Sequence, residues 1–258
     1  GTGGGLGDDV LPLHEVGNRL GRAINASEFS KIIPEYRAGE NPVFFSNLSR
    51  AFFYKNGVSS IREIKLEEEK PSFIARVLKD APFEQELIDN IAEYLPEKEA
   101  LFWETVEIPP CYPGCCSYDV TGVIRILLSY HRAPAAICVV GHHVDKLCVD
   151  DALLCEVLIQ APTDKGVDSI DQYSVQKIIR YLQNSGKTDM KTLSDIEYIY
   201  LPWLDWHSPT APKAINYRLA NEPDYFCAIM ESTYKRRHET SARQTLPSAV
   251  GERLFRLT

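Results

Sequence analysis

Val120-Thr121-Gly122-Val123-Ile124-Arg125-Ile126-Leu127-Leu128 opens the stretch that decides the fold, Asp119 to Tyr234. Val120, Val123, Ile124, Leu127 and Leu128 recur at i, i+3, i+4, i+7 and i+8, which is one stripe along one face of a helix. Ile137, Val140, Val144 and Leu147 repeat the pattern after Pro134, a residue suited to a helix start because the N–H it lacks has no partner there. Four more stripes follow: Leu153 to Leu158, Val175 to Leu182, Ile196 to Leu204, and Ala211 to Leu219. Phe226, Ile229, Met230 and Thr233 make the seventh. No alternation at period two is sustained, so the spacing predicts seven helices and no strand.

Start and stop signals flank these stripes. Asp119, Asp150, Thr188 and Thr210 are candidate N-caps, since a side-chain oxygen there accepts a free backbone N–H. Pro223 suits a first turn. Asn184-Ser185-Gly186 closes the fourth stripe with a glycine that can take the left-handed cap. The connections are short, so neighbours are expected as antiparallel hairpins. The expected fold is all-α, with hairpins stacked as an α-solenoid or an irregular helical bundle.

Upstream, Leu11 to Ile24 reads as a weak helix interrupted by Gly17 and Gly21. Ser27 is a candidate cap for a short helix ending at Pro34. Phe44, Phe45, Leu48, Phe52 and Phe53 make an aromatic helix up to Asn56-Gly57. The charge run Leu66-Glu67-Glu68-Glu69-Lys70 reads as a solvated helix end, and Pro71 restarts the chain. Further helices carry Phe73 to Leu78, Phe83 to Leu95, and Leu101 to Trp103. Three prolines and a glycine between Val106 and Ser117 exclude a regular helix there. The expected organisation is therefore a flexible linker or tag over 1–10, an N-terminal helical part over 11–106, an irregular connection over 107–118, and a C-terminal helical-repeat part over 119–258. The start Gly1-Thr2-Gly3-Gly4-Gly5 has no signal-peptide pattern and is expected to be a linker or cloning scar on a fragment.

Hydrophobic residues make up 44% of the 258 and charged residues 25%, the balance of a water-soluble globular chain. The net charge of -8 disfavours wholesale nucleic-acid binding. No segment approaches the roughly 20 apolar residues of a membrane span. Seven cysteines, an odd number without a secretory signal, are expected to be reduced thiols of a cytoplasmic protein. Cys138, Cys148, Cys155 and Cys227 are expected within apolar helices.

Some phrases resemble a known family. Glu197-Tyr198-Ile199-Tyr200-Leu201-Pro202-Trp203-Leu204, Pro212-Lys213-Ala214-Ile215 and Glu222-Pro223-Asp224-Tyr225-Phe226 follow one another in order, ending at Tyr234-Lys235-Arg236-Arg237. With Arg132-Ala133-Pro134-Ala135-Ala136 upstream, they are similar to the helical-repeat region of large, poorly characterised bacterial multidomain proteins. The resemblance covers residues 57–258 and implies a sensor or phage-defence protein whose effector part lies elsewhere in the parent chain. His131 stands where that family commonly has glycine. No catalytic motif comes with the resemblance.

The candidate partner-binding residues are Trp203, Trp206, His207 and Tyr217, because aromatic side chains bury large area with little rotamer loss. Lys235, Arg236 and Arg237 are added as a basic end able to touch an acidic group. Cys111, Cys115 and Cys116 are candidate reactive thiols. With His142, His143 and Cys148 they hold enough donors for a zinc site, although Cys-x3-Cys-Cys is not a paired-knuckle spacing. A Cys-His-Asp triad built on Asp145 has no supporting signature. The expectation is a non-enzymatic interaction or sensor module with no cofactor, binding a protein partner or other domains of its parent chain. The alternative is a cysteine-based metal or redox site that regulates an enzyme whose active site lies outside this fragment.

Overall fold

The computed structural model describes residues 11–39, 41–204 and 211–238, the last seven of these as backbone only. Among them are thirteen α-helices and no strand, so the chain is all-α. It divides into two compact units. One runs to Ile108 and includes Ser117–Asp119; the other takes Pro109–Cys116 and everything from Val120 onward.

The first unit begins with α1 (Leu13–Ala23), α2 (Ala26–Ala38) and α3 (Pro42–Asn56). Gly17 and Gly21 do not interrupt α1. They are buried, four residues apart on the face turned to α3, and a methyl at either would lie 2.4 Å from the Phe44 carbonyl oxygen or 2.3 Å from that of Leu48. Glycine is therefore what lets the two backbones approach. The cap of α2 is Asn25 rather than Ser27. Its Oδ1 accepts from Glu28 N at 3.0 Å, and Glu28 Oε2 accepts from Asn25 N at 2.9 Å, a reciprocal capping box. The helix runs through Pro34 instead of stopping there, because burial of Ile33 and Tyr36 on either side outweighs the hydrogen bond that proline removes. Phe29 packs on Phe52 at 4.4 Å, and Tyr36 stacks on Phe45 at 4.6 Å.

The charge run is solvated at Glu67, Glu68 and Lys70, as expected, but it forms a braced 3-10 turn and not the trailing end of an α-helix. Leu66 is fully buried, a 3-10 turn spans Leu66–Glu68, and Lys98 Nζ donates to the Glu67 and Glu69 carbonyls while Arg37 grips the Glu69 carboxylate. The unit continues with α4 (Pro71–Leu78), α5 (Gln85–Tyr94) and α6 (Ala100–Thr105). Trp103 is buried on α6 with Nε1 donating to Glu99 Oε2 at 3.0 Å.

Among the described residues the second unit holds seven α-helices: α7 (Val120–Ser129), α8 (Ala133–Val140), α9 (Asp151–Gln160), α10 (Gln172–Ser185), α11 (Met190–Ile199), α12 (Lys213–Asn221) and α13 (Pro223–His238). The stripes of α7 to α10 are the core: Ile124, Leu127, Ile137, Leu154, Val157, Ile178 and Ile179 are closed to solvent. Each such side chain contributes on the order of 1.5–3 kcal/mol by leaving water. Two stripes end early. The α8 helix stops at Val140, and the next residue, Gly141, lies so close to Ser174 that a Cβ there would sit 2.2 Å from the serine Cβ. The α11 helix stops at Ile199, where Pro202 turns the chain into a 3-10 segment, Leu201–Trp203. On α13 the stripe is weaker than expected: Phe226 is exposed, and Ile229 packs against the buried pair Leu201 and Ile215.

Asp150 caps α9 as its spacing predicts. The α11 cap is Asp189, one residue beyond Thr188, with its carboxylate accepting from Thr192 N at 2.9 Å. Thr210 lies outside the described residues. Gly186 takes the left-handed cap at φ 68. The main helix contacts in this unit run to the next helix and the next but one: α8 touches α7, α9 and α10, and α9 touches α8, α10 and α11. Several hydrogen bonds between distant residues join partners about thirty positions apart. Ser185 to Asp151 spans 34 residues, Ala133 to Asp164 spans 31 and Gln183 to Ala211 spans 28, while in the first unit Ser46 to Asp80 spans 34 and Arg62 to Glu93 spans 31. No helix among the described residues is long and apolar enough to cross a membrane.

Candidate functional site

Three contacts of the second unit, each joining residues 31 apart, lie on successive turns. The Tyr112 ring lies 5.1 Å from the His143 ring. The His142 ring lies 5.7 Å from that of Tyr173. Gln172 Nε2 donates to the Trp203 carbonyl at 3.1 Å, a separation of 31 residues, and Gln176 donates to the same oxygen. Adjacent residues carry consecutive contacts, 142 beside 143 and 172 beside 173, so the three make one ladder.

Local structure aims each rung. Cys111 N donates to the Val139 carbonyl at 2.9 Å, and Cys111 is bonded to Cys116 with Cα atoms 5.3 Å apart, which closes a small ring around Tyr112. The close approach of Gly141 to Ser174 brings the His142-His143 turn to the start of α10. There Asp171 caps the helix, accepting from Tyr173 N at 3.3 Å, Ser174 N at 2.9 Å and Ser174 Oγ at 2.7 Å. Burial pushes the Asp171 carboxyl up, but those hydrogen bonds together with nearby His142 outweigh it and hold the group below the usual carboxylate range. Lys177 Nζ sits 5.0 Å from the centre of the Tyr173 ring and donates to the His142 carbonyl at 3.0 Å. Trp203 leans on Tyr200 at 5.5 Å, while Tyr200 is fully buried and donates its hydroxyl to the Leu158 carbonyl at 2.9 Å.

Tyr112 is 55% and Tyr173 52% exposed, His142 is exposed, and Trp203 is half-buried. The ladder thus offers aromatic faces and imidazole edges to the outside, with the His142 and Trp203 carbonyls already accepting from Lys177 and Gln172. Such an arrangement can stack against and hydrogen-bond a partner.

Of the residues singled out in the sequence, Trp203 belongs to the ladder. Tyr217 stands exposed on α12, a different element. Trp206 and His207 lie outside the described residues. Lys235, Arg236 and Arg237 occupy the last turns of α13, where only the backbone is described. The cysteine expectations change. Cys111 and Cys116 form a disulfide, so not all seven thiols are reduced, and of the three candidate reactive thiols only Cys115 is free. Cys115 is a free, exposed thiol beside it. No group of three or more His, Cys, Asp or Glu side chains is placed to hold a metal ion among the described residues, so the cysteine and histidine donors do not converge as a zinc site needs. Cys148 is exposed in a loop and Cys227 is exposed on α13, neither inside an apolar face. Cys155 is buried, and Cys138 is half-buried with its thiol pushed up by burial and by Asp171.

Sequence reasoning passes over Tyr112, Gln172 and Tyr173 as site residues and takes His142 and His143 as metal donors or as the base of a triad with Asp145. The available signal was their spacing: aromatic or imidazole side chains at 112, 142–143, 173 and 203. No family model, no curated protein and no solved structure matches this chain.

Proposed function

We propose that this chain is a helical-repeat module of the α-solenoid kind, and that it holds a protein partner along the Tyr112–Trp203 ladder. The ladder carries the reading, because contacts that recur at a constant 31-residue step, two between rings and one from the Gln172 amide to the Trp203 carbonyl, are what stacked repeat units produce. The helix contacts to the next neighbour and the next but one, and those distant hydrogen bonds whose partners lie 27–35 residues apart, support the same arrangement. In it each unit touches mainly its neighbours and the edge becomes an extended recognition surface. The exposed tyrosines and the half-buried tryptophan are anchors, and the histidines and Lys177 provide donors. A non-enzymatic role as a sensor or interaction part of a larger bacterial protein, in antiviral defence, rests on the family resemblance.

Affinity capture with the chain against bacterial and phage-infected lysates tests the proposal. A protein retained by the wild type, rebound after purification and lost by a Tyr112→Ser/Tyr173→Ser variant of unchanged helicity supports it. Absence of any partner at about micromolar strength, or equal capture by the variant, removes it.

A second reading has one observation in its favour. Cys115 is an exposed thiol one residue from a disulfide-bonded cysteine, which suits a redox-regulated loop. Cellular dithiols reducing Cys111–Cys116 to two thiols would release the ring that holds Tyr112, and partner binding that differs between oxidised and reduced chain is the readout.

A further inference from the structure

A cavity of about 550 Å³ in the first unit is walled by α3, α4 and the segment after α6. Ser46 and Arg50 come from α3, Arg76 from α4, Lys79 and Asp80 from the turn that follows, and Glu107 from beyond α6. Asp80 is only 7% exposed. Its Oδ1 accepts from Ser46 Oγ at 2.8 Å and lies 3.7 Å from Arg50 Nη2. Its Oδ2 is buried and has no hydrogen-bond partner. Arg76 has the complementary defect. Its Nη2 donates to the Tyr36 carbonyl at 2.6 Å and its guanidinium lies 5.0 Å and 5.2 Å from the Tyr36 and Phe73 ring centres, yet its Nε is buried and unpaired.

Buried polar atoms are almost always paired, so an orphan acceptor and an orphan donor on two residues that line the same cavity point to a group that donates and accepts at once. Three cations face two carboxylates here, in a chain whose net charge is -8. We propose that the cavity binds a phosphate group that keeps one proton. Its unprotonated oxygens accept from Arg50, Arg76 and Lys79, and its P–OH donates to Asp80. A partial turn of the carboxyl about its Cβ–Cγ bond, a soft torsion, brings Oδ2 toward the ligand, and the P–OH then replaces part of what the Ser46 contact loses. Sulfate carries no proton at neutral pH and would set its lone pairs against the carboxylate. A carboxylate ligand likewise offers acceptors only.

Calorimetric titration of the whole chain in phosphate-free buffer near neutral pH tests this. Inorganic phosphate is expected to bind at about 1 mM or tighter, and sulfate at least about tenfold more weakly. Asp80→Asn should weaken phosphate about tenfold and abolish the preference over sulfate, because an amide can donate where the carboxylate could only accept. Arg50→Ala, whose side chain is 60% exposed, should weaken both anions about tenfold while leaving the thermal melt in place. Glycerol phosphate separates the two sources of the group. An ester loses its last proton at about pH 6, so an ester ligand binds better below that pH, whereas inorganic phosphate still carries P–OH at neutrality. Sulfate binding as well as phosphate, no heat with phosphate at about 10 mM, or unchanged binding by Arg50→Ala overturns the proposal. The last criterion holds even if Asp80→Asn does not fold.

Discussion

The Glu197 carboxylate accepts the backbone N–H of Ile215 at 2.9 Å, eighteen residues further along the chain. Its other oxygen accepts from Lys213 N at 3.0 Å, Ala214 N at 3.2 Å and Gln183 Nε2 at 2.8 Å. Pro212, in the N-cap position of α12, offers no side-chain acceptor, so a residue of α11 supplies the cap from a distance. The carboxylate is fully buried and lies at the positive end of the helix dipole. Glu197→Ala should leave three first-turn donors unpaired and lower the unfolding free energy by about 2–4 kcal/mol, with Glu197→Gln losing less. Urea unfolding measures both. An alanine variant as stable as wild type would show that the α12 start needs no such cap.

Gly17→Ala and Gly21→Ala probe the α1–α3 approach. In an isolated helix alanine is better than glycine by about 1 kcal/mol. In place, the methyl would meet the Phe44 or Leu48 carbonyl oxygen at 2.4 Å or 2.3 Å, and backbone cannot swing aside as a side chain does. The clash should win, with a net loss of about 1–3 kcal/mol for each variant. A raised melting temperature in either would sink the idea that glycine is there for contact.

These two cases mark what the sequence made legible. Periodicity places the seven helices of the second unit, because a 3.6-residue stripe such as Val123, Ile124 and Leu127 is a local property that packing only confirms. Asp150 and Gly186 could be read for the same reason, since caps act within one turn. Gly17 and Gly21 looked like interruptions because their role depends on α3, about thirty residues away. The Glu197 cap and the Asp80 cavity are invisible for the same reason, as both depend on chain segments meeting across a hairpin. The ladder is within reach of the sequence, which sets aromatic or imidazole side chains at 112, 142–143, 173 and 203, but which of them meet depends on how the hairpins stack.

The Cys111–Cys116 ring predicts a thiol count. The chain has seven cysteines, so denatured, unreduced protein should titrate as five thiols, the free cysteines being Cys115, Cys138, Cys148, Cys155 and Cys227. Closing so short a ring contributes about 2 kcal/mol, and Cys116→Ser should lose that much in the unfolding of the oxidised protein. It should also free Tyr112 from His143, seen as altered histidine resonances in proton NMR. Seven thiols in unreduced protein would remove both expectations.

Asp80 predicts a pH dependence with a definite sign. Burial raises its carboxyl above the ordinary 3.8, and Ser46, Lys79 and Arg50 only partly offset that. The folded chain therefore holds this proton more tightly than the unfolded chain. The contribution to stability is complete below the ordinary value and is lost as pH rises through the folded one. Asp80→Asn has no proton to lose there. In phosphate-free buffer its stability relative to wild type should rise from about pH 3 to neutrality and then level off. Urea unfolding of both proteins at matched pH gives the difference directly, and other carboxylates common to the two chains cancel. A difference that stays flat across that range, or falls, would mean that Arg50 and Ser46 already satisfy the buried carboxylate, and the cavity would then have no unmet acceptor for a ligand to use.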